Sequence, residues 1–113
     1  MRKKYGVIWA DIAEEDLRNI IKYIALDNPA NALKILKKIR EKTSSLYISS
    51  KRGRIVPELQ GFCILQYRQV IIAPWRIIYR ISETEKNIYV LSVLDSHQNI
   101  EDILLKRLIN LEI

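Results

Sequence analysis

Three runs rich in β-branched and aromatic residues follow one another in the second half of the chain, at about 65–73, 75–82 and 87–94. The connections between them are short, since Pro74 separates the first two runs and the segment 83–87 separates the other two. Connections of this length join antiparallel neighbours in a sheet. The sequence therefore predicts a three-stranded meander, and the helices predicted elsewhere have to be placed around it.

One strand and one amphipathic helix are predicted at the start of the chain. Residues 5–9 read as a short strand that stops at Asp11, and Asp11 with Glu14 resembles a capping box at a helix start. Apolar residues then recur at helical spacing over 11–26, at Ala13, Leu17, Ile20, Ile21 and Ile24.

A second helix is predicted directly after the first. Asn28 is placed as its N-cap and Pro29 as its first residue, where the missing N–H of proline costs nothing. Its apolar stripe is formed by Ala32, Leu36, Ile39 and Leu46, and its lysines, read as a solvated face, are Lys34, Lys37, Lys38 and Lys42. Because the connection is so short, the two helices should form an antiparallel hairpin.

A last helix is predicted near the C-terminus, with Asn99 and Asp102 as candidate capping residues. It is dominated by Ile100, Ile103, Leu104, Leu105, Leu108, Ile109 and Leu111. A helix this apolar has to pack on its own sheet or on another chain.

Length and composition restrict the class of protein. The 113 residues allow a single domain, residues 1–113, and nearly half of them are apolar. One cysteine and one histidine make a zinc site or a disulfide framework untenable, and the sequence indicates no cofactor. No apolar run is long enough for a membrane span or a secretory signal, so a soluble cytoplasmic protein is expected.

Positive charge is concentrated in residues 51–80, which hold six basic residues and a single acid, Glu58. Within 75–82 the residues alternate, with Trp75, Ile77, Tyr79 and Ile81 on one face and Arg76, Ile78, Arg80 and Ser82 on the other. One interpretation is a surface that binds an anionic partner, since arginine pairs well with phosphate and carboxylate. The alternative is that basic residues only protect an exposed strand from aggregation.

Several other residues have a structural interpretation. Tyr67 and Tyr79 share strand faces with aliphatic neighbours and are read as core or cross-strand residues, and Cys63 is read as a small apolar filler. The acidic group 14–16 is assigned to a first helical turn rather than to a metal site. Substantial burial is predicted for Leu17, Ile21, Leu36, Trp75, Ile77, Tyr79 and Val90.

The order strand, two helices, meander, helix resembles the RelE/ParE superfamily of toxins from toxin–antitoxin modules. The motifs that carry the resemblance are Val7-Ile-Trp9, Ala13, Asp16-Leu17, Ile20, Tyr23, Ile24, Pro29, Ala32, Gly53-Arg54, Val56-Pro-Glu-Leu59, Tyr67-Arg68, Trp75-Arg76-Ile77, Tyr79 and Val90-Leu-Ser-Val-Leu94. The resemblance implies a compact α/β (α+β) fold with the helical hairpin packed on an antiparallel sheet. It also implies the toxin of a type II (plasmid stabilisation) system with a cognate antitoxin.

The family resemblance leaves two activities to compare. RelE-like members cut mRNA on the ribosome, and Arg54 and Arg76 match basic positions of that site. Between Val90 and Asp102, however, this chain has no Arg, Lys or Tyr, so His97 is the one candidate acid or base in that segment. A surface histidine before a helix cap is the simpler interpretation of His97.

ParE-like members inhibit DNA gyrase and need no catalytic group, and residues 101–108 resemble the tail of that branch. The sequence therefore favours a gyrase inhibitor, with an mRNA endonuclease that acts on the ribosome, or a decayed toxin that only binds antitoxin, as alternatives. The residues expected to bind target or antitoxin are Arg54, Arg68, Arg76, Arg80, Leu104 and Leu108. The assemblies to consider are a homodimer and a heterotetramer with the antitoxin.

Overall fold

A computed structural model describes residues 5–111 of the protein, with side chains up to residue 109. Its elements are β1 (Gly6–Trp9), α1 (Asp11–Asp27), α2 (Pro29–Ser44), β2 (Arg54–Ile55), α3 (Pro57–Gln60), β3 (Tyr67–Ile72), β4 (Trp75–Ser82), β5 (Asn87–Asp95) and α4 (Ile100–Leu111), with a 3-10 turn at Ser45–Tyr47. None of the described helices is long and apolar enough to cross a membrane.

The strands form one five-stranded sheet in the order β1-β5-β4-β3-β2. The predicted meander is confirmed, because β3 pairs antiparallel with β4 and β4 antiparallel with β5. The N-terminal strand β1 lies beside the meander as predicted, and it runs parallel to β5. The α/β (α+β) architecture expected from the sequence is therefore correct.

Helices α1 and α2 pack together on one face of the sheet, and the core between them and the strands holds Ala13, Leu17, Ile39, Ile77, Tyr79 and Val90 among others. The predicted cap of α2 is confirmed, since the Asn28 side-chain oxygen accepts a hydrogen bond from the backbone N–H of Asn31 at 3.0 Å. Of the residues predicted to be buried, Ile21, Leu36 and Trp75 are only half-buried, and they pack against the edge of this core.

A second core lies on the opposite face, between the sheet and α3 and α4. It contains Val56, Leu59, Ile78, Leu94, Ile100 and Leu104. The final helix thus packs on its own sheet, which was one of the two alternatives for so apolar a segment. Its predicted start is confirmed by the hydrogen bond from the Asp102 backbone N–H to the Asn99 side-chain oxygen, at 3.1 Å.

A β-bulge in β5 decides which residues reach each core. Ile78 pairs with Ser92 and Tyr79 pairs with Val90, so Leu91 is an extra residue on β5. An extra residue shifts the alternation of side chains by one position. Val93 therefore joins Val90 in the α1–α2 core, while Leu94 lies under α4.

Three features of the sequence were misread. The first helix has Ala10 at its N-cap with no side-chain hydrogen bond, so the Asp11–Glu14 capping box is wrong. Cys63 is exposed in a left-handed conformation with φ 59°, in a turn rather than in a core, so the filler interpretation is wrong as well. The short elements β2 and α3 were not predicted, because each is too short to carry a periodic pattern.

The loop before β2 is fixed to the centre of the sheet by the buried hydroxyl of Tyr79. This hydroxyl donates to the Ser50 carbonyl at 2.8 Å and accepts from the Gly53 N–H at 2.9 Å. Burial raises the pKa of Tyr79, which keeps its O–H protonated for this role. A Cβ atom on Gly53 would lie 2.5 Å from both the Gln69 carbonyl oxygen and the Tyr79 hydroxyl.

We predict that Gly53→Ala lowers the free energy of unfolding by about 1–3 kcal/mol, because the new methyl group meets backbone that cannot move away. Urea unfolding followed by circular dichroism measures the change. Gly61→Ala is the matched control, since nothing lies within 4 Å of a Cβ placed there, and it should change stability by less than about 0.5 kcal/mol. Equal losses in the two variants would contradict the close approach at Gly53.

Candidate functional site

The sheet face opposite the helical hairpin, called the open face below, carries Arg76, which the sequence marked as functional, together with polar residues that it did not mark. Arg76 and Ile78 lie on it from β4, Gln69 from β3, and Ser92 from the segment of β5 that follows the bulge. α3 and α4 cover part of this face, so its polar groups are enclosed to different degrees.

Arg76 is enclosed and neutralised. Its Nη1 and Nη2 atoms donate to the two carboxylate oxygens of Glu58 at 2.7 and 2.6 Å, and its Nε donates to the Gln69 Oε1 at 2.9 Å. The hydrogen bonds from Arg76 hold the pKa of Glu58 below its usual value, against an opposing effect of burial. Arg76 is 7% exposed, so its predicted place on a binding surface is corrected: it anchors α3 to the sheet.

The arginine that α4 contributes was missed. Arg107 donates from Nη1 to Asp16 Oδ2 at 2.7 Å and to Ser92 Oγ at 2.9 Å, and from Nη2 to Asp16 Oδ1 at 2.9 Å. The same carboxylate accepts the backbone N–H of Val93 at 3.0 Å. Asp16 lies beyond the first turn of α1, so its assignment to that turn is wrong; its carboxylate joins α1, β5 and α4.

A sequence signal for Arg107 did exist. The residue follows Ile103 by four positions and Leu104 by three, which places it on the apolar stripe of α4 rather than on its solvated side. A cation on an apolar stripe usually has a buried partner. The partner itself could not be inferred, because Asp16 is 91 positions away along the chain.

An apolar groove of about 380 Å³ runs along α4 on the open face. It is lined by Leu104, Arg107 and Leu108 from α4 and by Ala10, Asp11 and Ile12 at the start of α1. The other lining residues are Leu59 from α3 and, from the sheet, Tyr67, Ile78, Leu91 and Ser92. Leu104 is itself 4% exposed, so of the two leucines predicted to bind a partner, only the half-buried Leu108 still has accessible surface.

The remaining predicted arginines do not form one cluster. Arg80 stacks on the Tyr89 ring, with its Cζ 4.7 Å from the ring centroid. Arg68 pairs with Ile55 across the β2–β3 ladder, and its Nη1 donates to the Gly53 carbonyl at 2.7 Å. Arg54 lies on the edge strand β2, where it pairs with Gln69 in the sheet, and its exposed side chain makes no hydrogen bond or ion pair with the residues that the structure describes.

His97 lies in the turn between β5 and α4. Its Nδ1 is 2.7 Å from Asp95 Oδ1, and its side chain is 85% exposed. Hydrogen bonds from the His97 backbone and ring lower the pKa of Asp95, so this carboxylate remains charged. Among residues 5–109, no group of three or more His, Cys, Asp or Glu side chains could hold a metal ion.

The tyrosines occupy the structural positions that were predicted for them. Tyr79 is fully buried in the α1–α2 core, and Tyr67 packs at the edge of the α4 core, where it also lines the groove. The Tyr79 ring is therefore inaccessible, whereas the half-buried Tyr67 ring reaches the groove on the open face.

We predict that Glu58→Gln lowers the free energy of unfolding by about 2 kcal/mol at neutral pH, because the Arg76 guanidinium loses its counter-charge in a nearly buried place. The matched control is Glu14→Gln, whose pair with Arg40 has side chains 38% and 45% exposed and should contribute less than about 1 kcal/mol. Chemical denaturation of the two variants and the parent measures both values.

The Glu58–Arg76 pair should also make the stability of the protein depend on pH. Since the folded-state pKa of Glu58 is lowered from 4.5, its contribution is complete above that pH and is lost as the pH falls through the folded-state value. The difference in the free energy of unfolding between the parent and Glu58→Gln should therefore become smaller in acid and stay constant between about pH 6 and about pH 8. A difference that grows on acidification would contradict this assignment.

Comparison with known proteins agrees with this architecture. The family described as the ParE toxin of the type II toxin–antitoxin system parDE matches residues 7–100. No curated protein matches the chain significantly by sequence.

Among solved structures, the chromosomal ParDE system of P. aeruginosa is similar with a TM-score of 0.63 and 23% identity, covering 82% of this chain and 97% of that one. The RelBE2 toxin–antitoxin complex of Mycobacterium tuberculosis has a TM-score of 0.58 and 20% identity, and the match covers 81% of this chain and 91% of that one. A mutant of the E. coli toxin RelE in the free state has a TM-score of 0.60 and 10% identity, and the match covers 88% of this chain and 92% of that one. At these identities the structures establish the fold, and the family match over residues 7–100 establishes that the chain belongs to the ParE toxin family of type II toxin–antitoxin systems.

Proposed function

We propose that the protein inhibits DNA gyrase and does not cut mRNA. The observation that carries this proposal is the state of Arg76, which both carboxylate oxygens of Glu58 and the amide oxygen of Gln69 engage. An enzyme that cleaves RNA needs a cation free to hold the scissile phosphate. Of the two arginines that match basic positions of such a site, Arg76 is already occupied by the protein itself, and Arg54 lies apart from it, exposed on the edge strand β2.

The acid–base requirement gives further support. Cleavage of RNA also needs a base for the ribose 2′-OH and an acid for the leaving oxygen. His97 is the only histidine of the chain, and its ring stands in solvent with Asp95 as its neighbour. A solvated histidine paired only with Asp95 is a poor catalytic centre when Arg76 is already engaged by Glu58, whereas a gyrase inhibitor acts through a binding surface and needs no such group.

A cognate antitoxin is the second part of the proposal. The similar structures from P. aeruginosa and M. tuberculosis are toxin–antitoxin systems, and this protein has an apolar groove beside α4 that a partner segment can fill. Antitoxin segments that fold on binding bury apolar side chains in such grooves. We place the antitoxin against Leu108 and the exposed Ile109, with a heterotetramer or a homodimer as the predicted assembly.

We predict that the purified protein inhibits supercoiling by gyrase and leaves mRNA intact in a translation extract. His97→Ala should leave the inhibition within about twofold of the parent, because loss of an acid or base matters only where proton transfer limits the rate, and there it costs about 10²–10⁴-fold. Gel assays of plasmid topology and primer extension on translated mRNA give the two readouts.

The alternatives have their own outcomes in the same experiment. Site-specific cuts in translated mRNA that disappear with His97→Ala, beside unaffected supercoiling, would refute the gyrase proposal and support the endonuclease. Neither activity in a protein that still binds antitoxin would identify a decayed toxin.

We predict that Leu108→Glu reduces co-purification with the product of the adjacent open reading frame by at least about tenfold, because a carboxylate in the groove loses its hydration without gaining a partner. Lys106→Glu is the matched control, since this side chain is 73% exposed on the same helix. Equal capture of antitoxin by the two variants would place the antitoxin away from the groove.

A further inference from the structure

Four cations surround the short edge strand β2 and are called the basic edge below: Lys42, Arg52, Arg54 and Arg68. Two shallow hollows meet there, and Arg54 lines both of them. Lys42 and Arg52 line the first hollow, and Arg68 lines the second. Within the described part of the chain, none of the four is in an ion pair. The basic edge is thus a concentration of positive charge that the protein does not neutralise itself.

The basic edge is held in place from the core. The Tyr79 hydroxyl fastens the loop at Ser50 and Gly53, and the Arg68 Nη1 binds the Gly53 carbonyl at 2.7 Å from the other side. Arg52 donates to the Ser45 Oγ at 2.6 Å, at the C-terminal end of α2. Each of these guanidiniums uses one donor in the contact and keeps several for a ligand. The cations are therefore presented on an ordered backbone.

The nearest acid in the sequence does not cancel this charge. Glu58 lies between the two arginines of the second hollow along the chain, but both of its carboxylate oxygens accept from Arg76. Arg54 is close enough to contribute to the lowered pKa of Glu58, although it is the last and smallest of the causes. The pair Glu58–Arg76 is neutral as a whole, and the basic edge keeps its positive charge.

We propose that the basic edge binds the phosphate backbone of duplex DNA. Guanidinium groups pair with phosphate oxygens, and an open surface suits a phosphate chain better than an enclosed pocket does. No aromatic side chain lines either hollow, so neither hollow offers a platform on which unpaired bases would stack. For the same reason the surface lacks the aromatic anchors of a typical protein interface.

This inference rests on the proposed function for its setting, because gyrase acts on duplex DNA. Contacts to phosphates fix position without reading sequence. The basic edge would therefore hold the toxin on the DNA segment that gyrase engages, while another part of the surface contacts the enzyme. The groove beside α4 stays available to the antitoxin, since no side chain of the basic edge lines it.

The test measures binding of the full chain to a fluorescent duplex of about 20 base pairs by anisotropy, over a series of salt concentrations. The main variant carries Arg52→Gln and Arg54→Gln, and both side chains are exposed. The control variant carries Lys22→Gln and Lys34→Gln, which remove the same charge near the α1–α2 connection, away from β2. Circular dichroism establishes that each variant is folded.

The expected result is binding by the parent that weakens steeply with salt. The Arg52 and Arg54 double variant should bind at least about tenfold more weakly at about 50 mM salt, with a log–log salt slope reduced by about 2. The control variant should bind within about threefold of the parent with an unchanged slope. A duplex of scrambled sequence should bind equally well, because phosphate contacts are independent of sequence.

Several results would overturn the proposal. They are no binding of the parent at low salt, equal losses in the two double variants, and single-stranded RNA bound more tightly than the duplex. Poly-glutamate that binds as tightly as DNA and depends on Arg52 and Arg54 would also overturn it, in favour of an acidic protein segment. Gyrase inhibition without DNA binding would refute this inference alone, whereas DNA binding without gyrase inhibition would refute the proposed function.

Discussion

The pairing of β4 with β5 is the constraint on which the rest of the structure depends. β4 has the two cores on its two faces, with Ile77 and Tyr79 towards α1 and α2 and Ile78 towards α4. The bulge at Leu91 shifts the alternation in β5, so that Val93 stays with the first core. Ser92 then faces Arg107, and the two helical layers can both be packed on one sheet. Without this shift, α4 would have no polar partner on the sheet for its arginine.

Charge is distributed by the same geometry. Arg76 and Arg107 lie on the open face, and each has a carboxylate from a different element, Glu58 from α3 and Asp16 from α1. Enclosed cations need such partners, because a buried charge without one is strongly destabilising. The cations at β2 lie at the rim of the sheet, where solvation by water lets them remain unpaired within the described part of the chain.

The enclosed, paired cations of this ParE family member have a structural role, which distinguishes them from the exposed cations at β2. Arg76, one of the two arginines that match a ribonuclease site in the sequence, attaches α3 to the sheet. The exposed surface is left with an apolar groove beside α4 and a basic edge at β2. These features are the basis on which we propose an inhibitor of another enzyme rather than a nuclease.

The sequence by itself determined the order of the helices and the three long strands, the cap at Asn28 and the family, because these depend on periodicity and on local hydrogen bonds. It also located the cations along the chain. Only the tertiary structure decided which of them are free, because the partners of Arg76 and Arg107 lie 18 and 91 positions away. The bulge at Leu91 and the exposure of Cys63 were decided there as well, since both depend on which strand or turn lies next to the residue in space.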